Sequence, residues 1–132
     1  MPSRPAICDY MATKLLTLPL DMEINEAMVM LLEERFSGAP VVNATGKLIG
    51  VLSKKDCFRA ALHASYHEKP GGVVADYMSR NVQTLDADME LFKAAEAFLE
   101  SPFRRFPVLR EGRLVGQISR ADLLRALVDQ WQ

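Results

Sequence analysis

The sequence predicts an α+β fold made of two similar halves, each with the order strand, helix, strand, strand, helix. Three observations lead to this prediction. The chain repeats itself at a spacing of 67 positions, as from Asp9 to Asp76. Each copy contains the apolar spacing of an amphipathic helix, and each contains two β-rich runs around a glycine-containing turn.

The repeat covers nearly the whole chain. It aligns Asp9 with Asp76, Thr17 with Thr84, Asp21 with Asp88 and Pro40 with Pro107. After the prolines the second copy is one residue shorter, and the alignment then pairs Gly46 with Gly112, Leu48 with Leu114, Gly50 with Gly116, Ser53 with Ser119, Asp56 with Asp122 and Arg59 with Arg125. Because the register needs a single one-residue gap, we interpret the pattern as an internal duplication.

Composition limits the classes of protein that fit. The 132 residues, 49% of them apolar, suffice for one compact body, and a formal net charge of −1 argues against a binder of bulk polyanions. Cys8 and Cys57 are isolated, so neither a disulfide framework nor a cysteine-built zinc site is predicted. There is no membrane-spanning run and no leader pattern, so we expect a soluble cytoplasmic protein without membrane association.

The first helix of each copy follows an aspartate, Asp21 or Asp88. We expect this aspartate to accept hydrogen bonds from free backbone amides of the helix, and the helix to begin within a residue or two of it. The apolar positions of the two helices form equivalent stripes: Ile24, Ala27, Met28, Leu31 and Leu32 in copy 1, and Leu91, Ala94, Ala95, Phe98 and Leu99 in copy 2. We therefore expect both stripes to face a core.

The β-rich runs predict one hairpin in each copy. In copy 1 it joins 40–42 to 48–52, and in copy 2 it joins 107–109 to 114–118. A short opening strand is expected at 15–18 and at 82–85, and a second helix from about Asp56 or Asp122. The predicted organisation is residues 1–62 for the first motif, 63–72 for a linker and 73–132 for the second motif.

The order of elements, with Pro-Val opening each hairpin and G-x-x-S-x-x-D closing it at 50–56 and 116–122, resembles a tandem pair of cystathionine-β-synthase (CBS) domains. The resemblance covers roughly residues 6–128. It implies two motifs related by a pseudo-twofold axis, with two clefts between them that bind adenosine-containing ligands such as AMP, ADP, ATP or S-adenosylmethionine. Such pairs commonly form homodimers, and they act in regulation and energy sensing rather than in catalysis.

A serine and an aspartate at a strand-to-helix junction provide the chemistry for such a ligand. The two carboxylate oxygens of Asp56 or Asp122 match the two hydroxyls of a ribose, and Ser53 or Ser119 with free helix amides can meet a phosphate. Lys54 and Arg120 are the candidate charge partners. The alternative stays open that each Ser/Asp pair caps its helix, and both roles are compatible.

Other residues complete the predicted site. The apolar contacts for adenine are assigned to Leu15, Leu16, Val82, Ala39, Pro40, Phe106 and Pro107. Copy 2 has Arg104 and Arg105 where copy 1 has Ser37 and Gly38, so we expect unequal clefts and assign Arg105 to phosphate binding. Copy 2 also departs from the family pattern at Gln117, and both copies depart from it after Pro-Val, at Asn43 and Arg110.

Three further interpretations remain open. The main rival is a ligand-free dimerisation or scaffold module, and nucleic-acid binding is a distant third because the charge is balanced. His63 and His67, with Glu68, are a weak metal pattern, and Cys57 has no histidine beside it in sequence to make it a nucleophile. We therefore expect no enzyme activity, no catalytic residues, no metal and no cofactor. An adenine nucleotide would be the regulatory ligand, with an unidentified protein as a further partner.

Overall fold

The computed structural model describes residues 4–36, 38–67 and 71–132. Each copy folds as strand, helix, strand, strand, helix, which confirms the predicted α+β class. Copy 1 contains β1 (Leu18–Pro19), α1 (Ile24–Glu33), β2 (Gly38–Val42), β3 (Leu48–Ser53) and α2 (Lys54–His67). Copy 2 contains β4 (Leu85–Asp86), α3 (Leu91–Glu100), β5 (Arg105–Arg110), β6 (Arg113–Ser119) and α4 (Arg120–Asp129). Short 3₁₀ helices occupy Ile7–Asp9 and Val74–Asp76.

Each copy contributes a three-stranded sheet. The opening strand is parallel to the first hairpin strand, and the hairpin is antiparallel, in the orders β1-β2-β3 and β4-β5-β6. The predicted hairpins are confirmed. The opening strands begin three residues later along the chain than the predicted ranges 15–18 and 82–85. Leu18–Pro19 and Leu85–Asp86 are the residues of these segments that pair with a neighbouring strand.

The turns of the hairpins account for the one-residue difference between the copies. In copy 2, Glu111 and Gly112 have φ values of 51° and 79°, the left-handed pair that a tight two-residue hairpin requires. In copy 1 the turn is longer, and the Asn43 side-chain oxygen accepts hydrogen bonds from the backbone N–H groups of Thr45 and Lys47. Asn43 thus closes its turn with local hydrogen bonds.

The chain divides into two compact units that do not coincide with the two sequence copies. One unit is the continuous segment 16–82, and the other combines residues up to 15 with 83–132. Residues 6 and 12 form bridges with Glu90 and Gln117, whereas residues 73 and 79 form the equivalent bridges with Glu23 and Val51. The segment at the start of each copy is therefore hydrogen-bonded into the unit that contains the rest of the other copy, and we call residues 6–12 and 73–79 the exchanged segments.

The predicted linker at 63–72 overlaps the end of the second helix, because α2 continues to His67. Residues 68–70 of that predicted linker lie outside the described residues. Gly71 and Gly72 are described, and Gly72 has a left-handed φ of 73°. Among the described residues, no helix combines the length and apolar character needed to cross a membrane.

Each unit has its own apolar core. The core of unit 16–82 includes Leu18, Ile24, Val41, Leu52 and Val74. The core of the other unit includes Ile7, Leu91, Phe98, Phe106, Val108 and Ile118. The predicted stripes are confirmed at Ile24, Ala27, Leu31, Leu91, Ala94 and Phe98, which are buried. They are wrong at Leu32 and Leu99, whose exposed fractions of 73% and 87% place them outside the cores.

The aspartates that precede α1 and α3 do not cap these helices, contrary to the prediction. Glu23 and Glu90 occupy the N-cap positions, and neither makes a side-chain cap hydrogen bond. Asp88 instead accepts a hydrogen bond from Arg110 at 3.2 Å. The helices begin three residues after Asp21 and Asp88, which is beyond the reach of a capping side chain.

Gly50 and Gly116 of the repeated motif are required by close packing within each unit. A Cβ atom at Gly50 would lie 2.8 Å from the Ser79 carbonyl oxygen and 2.7 Å from Met78 Sδ. A Cβ atom at Gly116 would lie 2.9 Å from the Ala12 carbonyl oxygen and would also collide with Met11. The exchanged segments therefore run too close to β3 and β6 for any side chain at these positions.

Candidate functional site

The candidate site occurs twice, where the last hairpin strand leads directly into a helix. β3 ends at Ser53 and α2 begins at the next residue, while β6 ends at Ser119 and α4 begins at the next residue. We call these places the copy-1 corner (Gly38, Ser53, Lys54, Asp56, Arg59) and the copy-2 corner (Arg105, Ser119, Arg120, Asp122, Arg125). Each corner lies within one compact unit.

Reciprocal hydrogen bonds organise the copy-1 corner. Ser53 Oγ accepts from the backbone N–H of Asp56 at 3.2 Å, and Asp56 Oδ2 accepts from the backbone N–H of Ser53 at 2.9 Å. This is the capping box that satisfies free amides at a helix start. The capping role that the sequence left open for this Ser/Asp pair is therefore confirmed.

Asp56 is buried, and both of its carboxylate oxygens are bonded. Oδ2 also accepts from the Ser53 hydroxyl at 2.9 Å, and Oδ1 accepts from Arg59 at 2.9 Å. Arg59 itself is largely exposed, so its contact with Asp56 is the one that water or a ligand could replace most easily. A ribose at this corner would have to take over that contact.

The copy-2 corner repeats the arrangement with a more accessible carboxylate. Asp122 Oδ2 accepts from the backbone N–H of Ser119 at 3.0 Å, and Ser119 Oγ accepts from the backbone N–H of Asp122 at 3.1 Å. Arg125 forms the ion pair with Oδ1. The Asp122 side chain is 16% exposed, compared with 6% for Asp56, so the second carboxylate is the easier one for a ligand to reach.

The two corners differ in charge because of one strand position. The register of the hairpins pairs Arg105 with Ser119 in copy 2 and Gly38 with Ser53 in copy 1. A Cβ atom at Gly38 would lie 2.8 Å from the Leu52 carbonyl oxygen, so copy 1 has no space for an equivalent side chain. Arg104 also lies next to the copy-2 corner, because its carbonyl oxygen accepts from the backbone N–H of Arg120 at 3.1 Å.

The residues assigned to adenine fall into two groups. Ala39, Pro40, Phe106 and Pro107 are buried. These whole residues pack inside the units, and their predicted contact with adenine is untested. Leu15, Leu16 and Val82 are half-buried and precede β1 and β4. Their assignment to adenine binding stays a prediction.

Sequence reasoning gave no role to Arg59 and Arg125. Each is the exposed partner of its corner aspartate, three residues away on the same helix. A usable signal was present, because the repeat aligns these two arginines as it aligns the two aspartates. Charged residues three apart on a helix are neighbours.

The remaining reactive side chains do not add to the corners. Burial, and then the negative charge of Asp56, raise the pKa of the Cys57 thiol, which disfavours the nucleophilic thiolate. His63 Nδ1 lies 3.4 Å from the Tyr77 hydroxyl. The His67 side chain and Glu68 lie outside the described residues, so the weak metal pattern with His63 is untested. Within the described part of the chain, no group of three or more His, Cys, Asp or Glu side chains could hold a metal ion.

Comparison with known proteins shows several relatives. An uncharacterised protein of Methanocaldococcus jannaschii, MJ1225, is 32% identical over 123 residues, which are 93% of this chain and 43% of that protein. The A-adding tRNA nucleotidyltransferase of Aquifex aeolicus is 30% identical over 119 residues, 90% of this chain and 14% of the enzyme. This chain therefore spans less than half of the length of these two relatives.

Solved structures match over nearly the full length. The structure of CBSX2 in complex with AMP has a TM-score of 0.83, 27% identity, and coverage of 96% of this chain and 98% of that chain. A structure of the CBS-pair protein CBSX2 from Arabidopsis thaliana has a TM-score of 0.82 at 26% identity, with 97% of each chain covered. The family model for the CBS domain matches residues 7–63 and again 74–129. This chain belongs to the CBS domain family, and it carries the domain as a tandem pair.

Proposed function

We propose that this chain is a regulatory module that senses an adenosine-containing nucleotide at its Ser/Asp corners. The observation that carries the proposal is the copy-2 corner, where a carboxylate, a serine hydroxyl, a helix N-terminus and arginines meet at one strand end. The similarity to CBSX2, whose structure was obtained with AMP, supports the same ligand class.

The chemistry of the copy-2 corner suits the polar parts of such a ligand. The ribose hydroxyls would donate to Asp122, replacing its exposed contact with Arg125. A phosphate would accept from the Ser119 hydroxyl, with Arg105 and Arg120 providing positive charge. Leu15, which belongs to the same unit, is the half-buried apolar residue proposed for adenine at this corner, and Leu16 and Val82 are those proposed in the unit of the copy-1 corner.

Phosphate selectivity is proposed to differ between the corners. At the position of Arg105, copy 1 has Gly38, and Lys54 is its basic residue nearest to the serine in sequence. The copy-2 corner would therefore favour ADP or ATP, while the copy-1 corner would accept AMP or S-adenosylmethionine. This proposed selectivity rests on the side chains of the copy-1 corner and of the copy-2 corner, and each corner lies within its own unit.

Binding would act through conformation or association rather than through chemistry. A ligand shifts an equilibrium only by its differential affinity for the two states, so the signal would be a change in shape or in partner binding. Within the described residues, the corners hold no activated nucleophile. We propose a non-enzymatic cytoplasmic regulator that acts on another protein. This chain covers 14% of the length of the A-adding tRNA nucleotidyltransferase, so the activity of that enzyme is not assigned to this chain.

The deciding experiment is isothermal titration calorimetry with AMP, ADP, ATP and S-adenosylmethionine. We expect binding by the native chain and its loss in Asp122→Asn for the ligand held at the copy-2 corner. Asp56→Asn is the matched variant of copy 1. Thermal unfolding of each variant separates a lost contact from a lost fold, and equal affinities in all three proteins would contradict the assignment of both carboxylates.

A scaffold module without ligand is the second candidate, and one observation favours it. The Asp56 carboxylate is buried and accepts three hydrogen bonds from this chain's own residues, so the copy-1 corner is satisfied without a ligand. A thermal-shift screen distinguishes the two functions, since a ligand at 100 times its dissociation constant stabilises the folded state by about 2.7 kcal/mol. No shift with any of the four ligands would favour the scaffold.

A further inference from the structure

The two helices of copy 2 enclose an open apolar groove, which we call the α3/α4 groove. It has a volume of about 500 Å³. The buried residues Phe98 and Leu123 line it, together with Leu99 and Leu124, which are exposed. The volume and the apolar lining are those of small-molecule sites, in which a few polar groups orient the ligand.

A single positive charge borders this groove. Arg120, the first residue of α4, lines it, and the other seven lining residues are uncharged. Within the described part of the chain, the Arg120 guanidinium forms no ion pair, whereas Arg59 and Arg125 pair with the corner aspartates. Arg120 is exposed, so a molecule that enters the groove from solvent can reach its charge.

The repeat places a basic residue at the same position in copy 1. The groove between α1 and α2 has a volume of about 320 Å³, and Lys54, the repeat equivalent of Arg120, is the charged residue among those that line it. Each helix pair therefore combines an apolar groove with the cation that follows the corner serine. This combination is complementary to an amphipathic anion, whose chain would be buried and whose charged end would be paired.

The residues beside Arg120 suit a phosphate as the charged end. Arg120 directly follows Ser119, and Arg105 pairs with Ser119 across the hairpin. A guanidinium provides a fork of donors that matches phosphate oxygens, and a second arginine near the serine provides charge for a second phosphate. Copy 1 has Gly38 at the position of Arg105, so this set of donors belongs to copy 2.

We propose that the α3/α4 groove binds a phosphate or diphosphate ester of an apolar chain, with the phosphate at Arg120 and the chain along α4. From Arg120 to Leu127, both of which line the groove, the helix rises by roughly 10 Å at 1.5 Å per residue. Such a ligand would use the charge that the copy-2 corner offers to a nucleotide phosphate, so the two ligands would compete. The competition rests on the proposed nucleotide function, whereas binding in the groove does not.

Isothermal titration calorimetry with geranyl diphosphate tests the groove, with inorganic diphosphate and geraniol as its two parts. The native chain should bind geranyl diphosphate at least about tenfold more tightly than either part, because burial of the chain adds to the ionic contact. Equal affinities for geranyl diphosphate and inorganic diphosphate would overturn the proposal. Sedimentation velocity identifies the other occupant: a concentration-dependent dimer that does not bind geranyl diphosphate would show that a second copy covers the groove instead.

Two apolar positions locate the chain. Leu124→Asp should remove the contribution of the chain, so that geranyl diphosphate binds no better than inorganic diphosphate. Phe58→Asp is the matched control, because Phe58 is the exposed repeat equivalent of Leu124 and lines the groove of copy 1. An equal loss of affinity in both variants would contradict the assignment to the α3/α4 groove.

Two arginines locate the phosphate. Arg120→Gln should weaken the binding of geranyl diphosphate and of inorganic diphosphate at least about tenfold. Arg113→Gln removes the same charge at the other end of β6, where Arg113 is exposed, and should leave both affinities unchanged. If Arg120→Gln binds geranyl diphosphate as tightly as the native chain does, the proposed position of the phosphate is wrong.

Titration of ADP with increasing amounts of geranyl diphosphate separates this proposal from the nucleotide function. In Asp56→Asn, which retains the copy-2 corner, the apparent dissociation constant of ADP should rise in proportion to the concentration of geranyl diphosphate. If ADP does not bind in the absence of geranyl diphosphate, the nucleotide function alone is contradicted, because binding in the groove is measured independently. If both ligands bind without affecting each other, they do not share Arg120.

Discussion

Arg125 and Asp122 form an exposed ion pair one helical turn apart on α4, at the place proposed for a ribose. The contact uses Oδ1, whereas Oδ2 is occupied by the backbone of Ser119. The oxygen facing Arg125 is thus the one whose partner a ligand could exchange without disturbing the helix cap.

Replacing Arg125 therefore tests the proposed ribose site without removing the helix cap. Arg125→Ala should change the free energy of unfolding by less than about 1 kcal/mol, because exposed ion pairs contribute little. It should retain or tighten the binding of adenosine, which has no phosphate that could use the arginine. Calorimetry with adenosine and urea unfolding measure the two effects. Loss of adenosine binding would show that Arg125 itself holds the ligand.

Part of this site was predictable from sequence. The repeat aligned Ser53 with Ser119 and Asp56 with Asp122, and helix-start chemistry already required a cap there, so both the place and the capping role followed from residue types. The involvement of Arg59 and Arg125 depended on side-chain geometry. Periodicity fixes which residues share a helix face, but it does not say which exposed charge turns toward a given carboxylate.

The exchange of segments between the two sequence copies was not predictable. Residues 6–12 and 73–79 contain no alternation that distinguishes a partner in their own copy from one in the other copy. The hydrogen bonds from Ile7 to Met89 and from Val74 to Met22 decide the pairing, and they are contacts between backbone atoms. Leu32 and Leu99 illustrate the same limit, because helical spacing places them beside core residues but cannot tell a buried position from an exposed one.

Gly50 tests the close approach of an exchanged segment. Gly50→Ala should lower the free energy of unfolding by about 1 to 3 kcal/mol, because its Cβ would collide with the backbone at Ser79 as well as with Met78. Gly46→Asn is the control, since no atom lies within 4 Å of a Cβ there and asparagine tolerates its φ of 84°. Urea unfolding of both variants checks the prediction. Equal stability of the Gly50 variant and the native chain would contradict the close packing of Gly50 against Ser79 and Met78.

Arg35 stores backbone strain at the end of α1. It has a φ of 59°, and the following N–H, that of Phe36, bonds to the Leu31 carbonyl oxygen in the pattern of a helix C-terminus that favours glycine. Arg35→Gly should therefore raise the free energy of unfolding, by about 0.5 to 1 kcal/mol. Its neighbour Glu34 has a right-handed φ of −87°, so Glu34→Gly should destabilise the chain instead. Chemical denaturation that ranks the two variants the other way would refute the strain.

The Cys57 thiol should respond to pH as a protonated, half-buried group. Burial and the charge of Asp56 raise its pKa above the ordinary value, so at any pH below that raised pKa the folded chain holds less thiolate than an unfolded chain does. Alkylation by iodoacetamide should accordingly be slower in the native chain than in urea, with its rate rising at a higher pH. A Cys8→Ser background isolates this thiol, and Asp56→Asn should move the rate profile back toward lower pH because it removes the neighbouring charge. A native profile that matches the profile in urea would show that neither burial nor Asp56 acts on Cys57.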